Sequence, residues 1–272
     1  MLSWILSRLA IKKALLLAAF IFTPGSNASS LIEERTASLA TNAQCELTLG
    51  WGDWAPYQFV EQGDSPTGLQ IDLVKQIAEQ ANCELKFVRQ PFSQNIQSVR
   101  DGSVDFTMDT TVTAERQKYA LFSEPYRQEV LVLYVKPQFV NQCSGKSFSD
   151  IVKSGVRIGL TQGNIYGDSV SKVQNTPQLN KKLVYANKNA NLIDLLKSDR
   201  LDGFFEDPTV LSYSLRKNNL SGALKSCKIT VYSGTVSFMF SKKTVSEKLV
   251  SRFNQALRKV KKTESYLMNW AW

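Results

Sequence analysis

Hydrophobic positions in the first half of the chain switch between the spacing of strands and the spacing of helices. Segment 46–50 alternates apolar and polar residues, whereas apolar residues in segment 69–82 recur every three or four positions. The pattern predicts strand 46–50, helix 69–82, strand 85–88, helix 93–100 and strand 104–108. Strands that alternate with helices in this way are typical of βαβ units around a parallel sheet.

A long extended run at 128–138 separates this pattern from a second one of the same kind. The second pattern predicts strands 156–160, 183–186, 201–206 and 228–232, with helices at 190–198 and after Pro208. The chain then ends in a helix with apolar positions from Val245 to Val260 and a capping-box pair, Thr244 and Glu247, at its start. We therefore predict two α/β units and a C-terminal helix.

The N-terminus has the composition of a segment that directs export. Three basic residues precede the apolar run 14–22, and small residues follow at 26–28. A membrane span needs about 20 apolar residues, roughly twice the length of this run. We therefore expect a signal peptide at 1–28 rather than an anchor, then a polar leader at 29–43 and a periplasmic protein.

The composition excludes several kinds of chemistry. The chain has no histidine, so it has no Ser-His-Asp or Cys-His nucleophile and no His-ligated metal. It has no glycine-rich phosphate-binding motif. Its 33 basic and 24 acidic residues are scattered, which is a feature of solubility more than of nucleic-acid binding. We expect no cofactor, no metal and no nucleic-acid partner.

Four cysteines in an exported chain indicate disulfide bonds. Cys45, Cys83, Cys143 and Cys227 include no Cys-x-x-Cys pair and allow three pairings. The layout favours Cys45–Cys83, because both residues precede neighbouring predicted strands. It favours Cys143–Cys227, because these residues bracket the second α/β unit.

Segment 102–126 combines a strand end, a threonine-rich turn and Arg116. Ligands of open α/β sheets bind beyond the carboxyl ends of the strands. Hydroxyls, backbone N–H groups and a guanidinium at such a place suit a carboxylate, since arginine can hold both of its oxygens. A capped helix with a surface arginine would give the same pattern, so this segment alone leaves both interpretations open.

Five motifs occur in an order that is typical of one protein family. They are GWGDWAPY at 50–57, GLQIDL at 68–73, TAER at 113–116 followed by FSEPY at 122–126, GLTQG at 159–163 and RLDGFFED at 200–207. Together they resemble the family 3 periplasmic solute-binding proteins, which mostly bind amino acids for ABC importers.

The resemblance implies a two-lobed periplasmic binding protein type II fold. Two α/β domains are joined by two crossover strands, and the ligand lies in the cleft between them. The implied lobe 1 comprises 44–130 and 234–272, and the implied lobe 2 comprises 131–233. The C-terminal helix then belongs to lobe 1.

The resemblance also assigns roles to single residues. Arg116 and Thr111 would hold the α-carboxylate of an amino acid, and Asp207 would take its α-ammonium. Trp54 and Phe92 would enclose the ligand side chain. Each charge of a zwitterion loses hydration in a cleft and needs an opposite partner. In a protein without a ligand, the two aromatic residues would be core residues and Asp207 an N-cap.

Two positions of the predicted cleft, 109 and 165, depart from the family pattern. Asp109 stands where the family usually has a small residue, and a carboxylate there would compete for Arg116 or repel an anionic ligand. Asn164 precedes Ile165, which replaces a common polar contact. Further acids near the predicted cleft are Asp53 and Glu206. These acids favour a basic or cationic ligand.

We therefore predict an exported, monomeric, non-catalytic protein that captures a polar or basic amino acid. It would deliver this ligand to the membrane subunits of an ABC importer. One alternative is a periplasmic enzyme that resembles the cyclohexadienyl dehydratases, with Glu206 or Asp109 as the proton donor. Another is a sensor that binds a solute and presents it to a receptor without transport.

Overall fold

The computed structural model describes residues 45–270, apart from the side chains of residues 189, 190 and 233. The predicted signal peptide at 1–28 and the leader at 29–43 lie outside the described residues. Within 45–270, none of the helices combines the length and the apolar character that crossing a membrane requires.

Strands and helices alternate along most of the described chain. The strands are β1 (Cys45–Trp51), β2 (Cys83–Arg89), β3 (Phe106–Thr110), β4 (Ala120–Phe122), β5 (Arg127–Val135), β6 (Ile158–Thr161), β7 (Leu183–Ala186), β8 (Gly203–Glu206) and β9 (Lys225–Ser241). The α-helices are α1 (Leu69–Gln80), α2 (Phe92–Asp101), α3 (Ala114–Gln117), α4 (Phe148–Lys153), α5 (Asp168–Gln174), α6 (Pro177–Asn180), α7 (Asn189–Lys197), α8 (Pro208–Lys217), α9 (Glu247–Val260) and α10 (Glu264–Trp270). A 3-10 helix spans Pro137–Gln142.

Hydrogen bonds join the strands in the order β2-β1-β3-β9-β5-β8-β6-β7, and β4 pairs with β9. The strand β1 is parallel to β2 and β3, and β6 is parallel to β7 and β8. The long strands β5 and β9 run antiparallel to each other between these two parallel groups. The predicted α/β architecture, with two parallel units joined by two extended crossings, is confirmed.

The predicted boundaries of a strand agree with the observed ones where the sequence signal is local, and they differ where it is not. The strand predicted at 183–186 is β7. The strand predicted at 104–108 begins two residues later as β3, because Gly102 caps α2 in the left-handed region and residues 103–105 complete the turn. The strand predicted at 228–232 is one part of β9, which continues to Ser241.

The predicted capping box at the start of the C-terminal helix is wrong. Ser246 is the N-cap, and its hydroxyl accepts a hydrogen bond from the backbone N–H of Leu249 at 3.2 Å. The helix therefore starts at Glu247, one turn's worth of chain after Thr244. Val245 is buried and anchors the chain just before the helix, as a hydrophobic residue next to an N-cap commonly does.

The main hydrophobic clusters of the two α/β units differ, and Val210 of α8 packs with the cluster of the first unit. In the first, the Phe253 ring of α9 lies 5.7 Å from Phe106, 5.3 Å from Phe238 and 5.2 Å from Phe240. The C-terminal helix thus packs on the first unit, as expected. In the second core, the rings of Phe148 and Phe205 lie 5.2 Å apart.

Two disulfide bonds connect the pairs that the layout favours. Cys45 and Cys83 are register partners at the starts of β1 and β2, with their Cα atoms 4.4 Å apart. Cys143, which follows the 3-10 helix, is bonded to Cys227 in β9. The first bond joins two parallel strands of the first α/β unit, and the second joins the end of the 3-10 helix to the start of β9.

Candidate functional site

A cavity of about 430 Å³ lies beside the carboxyl ends of β1, β3 and β6. This is where open α/β sheets place their ligands, and the volume suits a small molecule. Asp207 does not belong to the lining. The other predicted ligand-binding residues all line the cavity: Trp54, Phe92, Asp109, Thr111, Arg116 and Asn164.

Arg116 is a buried cation at the wall of the cavity. Thr113 is the N-cap of α3, and its hydroxyl accepts a hydrogen bond from the backbone N–H of Arg116 at 3.2 Å. The guanidinium donates from Nη1 to the Thr111 carbonyl at 3.0 Å and from Nη2 to the Gly163 carbonyl at 2.9 Å. Burial lowers the pKa of Arg116 from its ordinary value. No ion pair within residues 45–270 includes Arg116.

Carbonyl dipoles compensate a buried guanidinium less completely than a carboxylate does. The arrangement around Arg116 therefore attracts an anionic group into the cavity. Thr111 lines the same wall, and its hydroxyl donates to the hydroxyl of Tyr232 in β9 at 3.3 Å. The Thr111 side chain thus offers a second polar contact beside the guanidinium.

Trp54 and Phe92 are aromatic walls of the cavity and are only half-buried. Trp54 follows β1, and its indole Nε1 donates to Oε1 of Glu206 at 3.1 Å. Phe92 is the first residue of α2, which starts directly after Pro91. Gly163 approaches Phe92 so closely that an added Cβ would lie 3.2 Å from its ring. Aromatic faces that remain open to a cavity supply apolar contact area for a ligand.

The mouth of the cavity is polar. Asn164 and Ile165 follow β6, and Lys188 follows β7. Arg89 and Asp53 form an ion pair there, with Nη2 2.6 Å from Oδ1. The Arg89 side chain is about half exposed, so water screens this pair and it adds little free energy.

Asp109 does not compete for Arg116, contrary to the expectation from the sequence. Its Oδ1 lies 2.8 Å from Nη2 of Arg127 and accepts from the hydroxyl of Tyr126 at 2.9 Å. Side-chain amides of Gln58 and Gln70 also donate to this carboxylate. Asp109 lines the cavity, but its oxygens are occupied by partners from its own unit.

Arg127 is a site residue that sequence reasoning missed. It starts β5, its side chain is 2% exposed, and it binds three acids. Besides Asp109, its Nη2 lies 3.0 Å from Oε1 of Glu129 and its Nη1 lies 3.9 Å from Oδ2 of Asp207. Burial acts to lower the pKa of Arg127, but Asp109 and Glu129 raise it well above its ordinary value. The guanidinium also lies over the Trp54 ring, 5.1 Å from its centroid.

Glu129 is a second missed residue and, unlike Asp207, lines the cavity. Burial raises the pKa of Glu129 to about 7, although Arg127 acts in the opposite direction. The sequence alone does not reveal either residue, because apolar residues occupy both faces of the run 130–135. Along β5, alternate residues from Arg127 to Val135 are buried, so two charged residues occupy positions on the apolar face of the strand.

Asp207 is the N-cap of α8, which is one of the two roles that the sequence allows for this residue. Its Oδ1 accepts from the backbone N–H groups of Thr209 at 2.8 Å and Val210 at 3.3 Å. The hydroxyl of Tyr57 lies 3.5 Å from both carboxylate oxygens. Burial raises the pKa of Asp207, and Arg127 lowers it. Glu206 precedes it and accepts from the Asp207 backbone N–H at 2.9 Å.

Within residues 45–270, no group of three or more His, Cys, Asp or Glu side chains is placed to hold a metal ion. The cavity combines a cationic wall at Arg116, an acidic wall at Asp109 and Glu129, the aromatic faces of Trp54 and Phe92, and a polar mouth. This combination suits a small zwitterion.

Residues 47–268 match the protein family described as bacterial extracellular solute-binding proteins, family 3. The chain belongs to this family. A similar curated protein is a probable histidine-binding protein from Neisseria gonorrhoeae, 25% identical over 217 residues, which cover 79% of this chain and 77% of that protein. The ABC transporter arginine-binding protein 1 of Escherichia coli K12 is 26% identical over 215 residues, which cover 78% of this chain and 84% of that protein.

A solved structure supports the fold of this family 3 protein. An ancestral arginine-binding protein bound to arginine has a TM-score of 0.69 at 25% identity, and the match covers 84% of this chain and 98% of that one. The two-lobed periplasmic binding protein type II fold that the sequence predicts is thereby confirmed. These relatives are binding proteins by name.

Proposed function

We propose that the protein captures a polar or basic amino acid in the periplasm and delivers it to an ABC importer. The observation that carries this proposal is Arg116, a buried guanidinium that faces the cavity with backbone carbonyls as its hydrogen-bond acceptors. A ligand carboxylate would complete its coordination. The names of the relatives, which bind histidine and arginine, support an amino acid as the source of that carboxylate.

The charges around the cavity favour a ligand that also carries a cation. Three carboxyl side chains, Asp109, Glu129 and Asp207, surround Arg127 with little exposure, and the buried Glu206 lies beside Asp207. An excess of buried carboxyl groups is stabilised by an additional positive charge. The α-ammonium of an amino acid supplies one such charge, and a basic side chain supplies another.

Two lobes would close on the ligand. We propose that lobe 1 comprises 44–130 and 234–272 and that lobe 2 comprises 131–233. Arg116, Thr111, Trp54 and Phe92 then belong to lobe 1, and Asn164 to lobe 2. A ligand that contacts both lobes stabilises the closed conformation and shifts the population towards it.

A binding screen tests the proposal. The exported protein is unfolded and refolded without reduction to remove amino acids acquired during expression, and its melting temperature is measured with each of the twenty amino acids. A ligand at 100 times its Kd adds about 2.7 kcal/mol to the free energy of unfolding, which raises the melting temperature by several degrees. Shifts confined to basic or polar amino acids support the proposal, and the absence of any shift contradicts it.

A pair of arginine variants locates the site. Arg116→Ala should abolish the shift, because the ligand carboxylate loses its partner. Arg216→Ala removes an exposed arginine of α8 and should leave the shift unchanged. Equal affinity of the Arg116→Ala variant and the wild-type protein would remove Arg116 from the site.

One observation favours a second candidate, an enzyme that resembles cyclohexadienyl dehydratases. Glu129 lines the cavity and has a pKa of about 7, which is suitable for a proton donor at neutral pH. Asp109 is less suitable than the sequence suggests, because its Oδ1 is occupied by Arg127 and by the hydroxyl of Tyr126. Incubation with prephenate tests this candidate, and formation of an aromatic product would establish it in place of simple binding.

A further inference from the structure

Three buried polar side chains that line the cavity use their hydrogen-bond donors within the chain. They are Gln58, Asn95 and Thr107, and none of them is more than 7% exposed. The hydroxyl of Thr107 donates to the backbone carbonyl of Gly50 at 2.8 Å. Nε2 of Gln58 donates to Oδ2 of Asp109 at 3.1 Å. The capacity that remains on these side chains is therefore the capacity of their oxygens to accept hydrogen bonds.

Two of these oxygens receive no hydrogen bond from the protein. Within residues 45–270, Oε1 of Gln58 and Oδ1 of Asn95 are buried and have no partner. Oε1 of Gln70 is a third such atom, but Gln70 does not line the cavity. A buried amide oxygen without a donor costs free energy. A ligand that brings a donor into the cavity would remove this cost at Gln58 and Asn95.

The nitrogen of each amide determines which way the amide group is turned. Nε2 of Gln58 contacts the Asp109 carboxylate, and Nδ2 of Asn95 lies 3.5 Å from the backbone carbonyl of Gln90. Turning either amide over would bring its oxygen to another oxygen, and two acceptors do not form a hydrogen bond. The atoms without partners are therefore acceptors and not donors.

Asn95 lies where the ligand side chain is expected. It follows Phe92, an aromatic wall of the cavity, by three positions on α2, and residues at this spacing lie on the same face of a helix. Gly50 of β1 leaves room for the amide, because an added Cβ at Gly50 would lie 2.5 Å from Oδ1 of Asn95. The Asn95 oxygen is thus placed one helical turn beyond the ring that would enclose the ligand side chain.

We infer that Asn95 and Gln58 accept hydrogen bonds from the side chain of the bound amino acid and select a side chain that ends in N–H donors alone. A guanidinium or an ammonium has donors and no acceptor, whereas an amide or a carboxylate would bring its own oxygen to these oxygens. The inference rests on the proposed function, because it takes the ligand to be an amino acid. It narrows the polar or basic ligands of that function to the basic ones.

The first test compares L-arginine with L-citrulline, which has nearly the same shape but carries a carbonyl oxygen in place of one nitrogen and has no side-chain charge. Isothermal titration calorimetry measures both Kd values. We expect the wild-type protein to prefer L-arginine by a factor on the order of 100. In Asn95→Leu this factor should fall at least about tenfold, because leucine accepts no hydrogen bond. Gln94→Leu, at an exposed neighbouring position of α2, should keep the wild-type factor.

The second test measures the melting temperatures of the ligand-free proteins. Asn95→Leu should melt about 2–4 °C above the wild-type protein, because an apolar side chain replaces a buried oxygen without a partner. Affinity and stability should thus change in opposite directions. Asn95→Ala removes the same oxygen without adding volume and should lose the preference for L-arginine equally, so the result does not depend on how well leucine fits beside Gly50.

The outcomes separate this inference from the proposed function. An unchanged preference in Asn95→Leu and Asn95→Ala would assign the Asn95 oxygen to a bound water molecule and overturn the inference. Weaker binding of both ligands together with lower melting temperatures would make Asn95 a structural residue and overturn it too. Binding of L-glutamine in preference to L-arginine would overturn it and leave the proposed function intact. Binding of none of the twenty amino acids counts against the proposed function itself.

Discussion

Arg127 is the residue on which the acidic wall of the cavity depends. It is the buried cation that links Asp109, Glu129 and Asp207. Surface ion pairs contribute little because water competes for both partners, but a buried carboxylate that loses its partner keeps its full desolvation cost. The effect of removing Arg127 is therefore set by the acids that remain.

Replacement of Arg127 by glutamine should lower the free energy of unfolding by about 3–5 kcal/mol. Urea unfolding followed by circular dichroism measures the change. Arg89→Gln is the matched control, because Arg89 pairs with Asp53 in a half-exposed position. This control should cost less than about 1 kcal/mol. Equal losses of unfolding free energy in the two variants would show that the buried ion pairs of Arg127 stabilise the protein no more than the half-exposed pair of Arg89 does.

Glu129 makes the stability of the empty protein depend on pH. Its pKa is raised from 4.5 to about 7 in the folded state, so between these values the folded protein binds the proton more tightly than the unfolded chain. The contribution is fully present below about pH 4.5 and is lost as the pH rises through about 7. The loss is at most about 3 kcal/mol.

Urea unfolding at intervals between about pH 5 and 8 measures this dependence. In Glu129→Gln the side chain is neutral throughout, and the curve should be flatter over the same range. A wild-type curve with the slope of the Glu129→Gln curve would mean that Glu129 is already ionised in the empty cavity.

At the scale of single residues, the sequence predicts the side chains that belong to recognisable motifs. Trp54 and Arg116 belong to two of the five motifs and line the cavity, and Phe92 and Thr111 line it from outside the motifs. Arg127 and Glu129 lie in β5, where the apolar run from Val130 to Val135 is continuous, so the sequence marks neither the buried face nor a partner across the sheet. Asp109 supplies that partner only through the folded arrangement.

The elements differ in how far the sequence determines them. β7 coincides with its prediction, because four residues are bounded by clear turn signals. The short helices α4, α5 and α6 were not predicted, because helices of four to seven residues span too few turns to show a period. The full length of β9 depends on its partners β3 and β5, so no local pattern reveals it.

The cap of α9 provides a test at this scale. Ser246→Ala should lower the free energy of unfolding by about 1 kcal/mol, because the backbone N–H of Leu249 loses its acceptor. Thr244→Ala, at an exposed position two residues earlier, should change the free energy of unfolding by less than about 0.5 kcal/mol. Urea unfolding of both variants decides whether Ser246 or Thr244 is the N-cap. A larger loss of unfolding free energy for Thr244→Ala would support the capping box that the sequence predicts.

Residues 45–270 form two α/β units, each with its own disulfide bond. The bonds join residues 38 and 84 positions apart. In the chain-entropy description, a cross-link that closes a longer loop restricts the unfolded chain more strongly. The two bonds should therefore contribute unequally.

Removal of either bond by paired serine substitutions should lower the free energy of unfolding by about 2–5 kcal/mol. The cost for Cys143 and Cys227 should exceed that for Cys45 and Cys83 by about 0.7 kcal/mol, since the closed loop is slightly more than twice as long. Urea unfolding without reductant measures both. The reverse order would indicate that native-state packing around each bond outweighs loop closure.

The guanidinium of Arg127 is attached to the same chain as the carboxylates that it binds. A tethered group acts on its partner as if it were dissolved at an effective concentration on the order of millimolar or above. Solutes at micromolar concentration compete poorly with such a group for Asp109, which Arg127 contacts at 2.8 Å. Changes in the surrounding medium therefore alter the occupancy of the cavity while the internal pair of Arg127 and Asp109 stays in place.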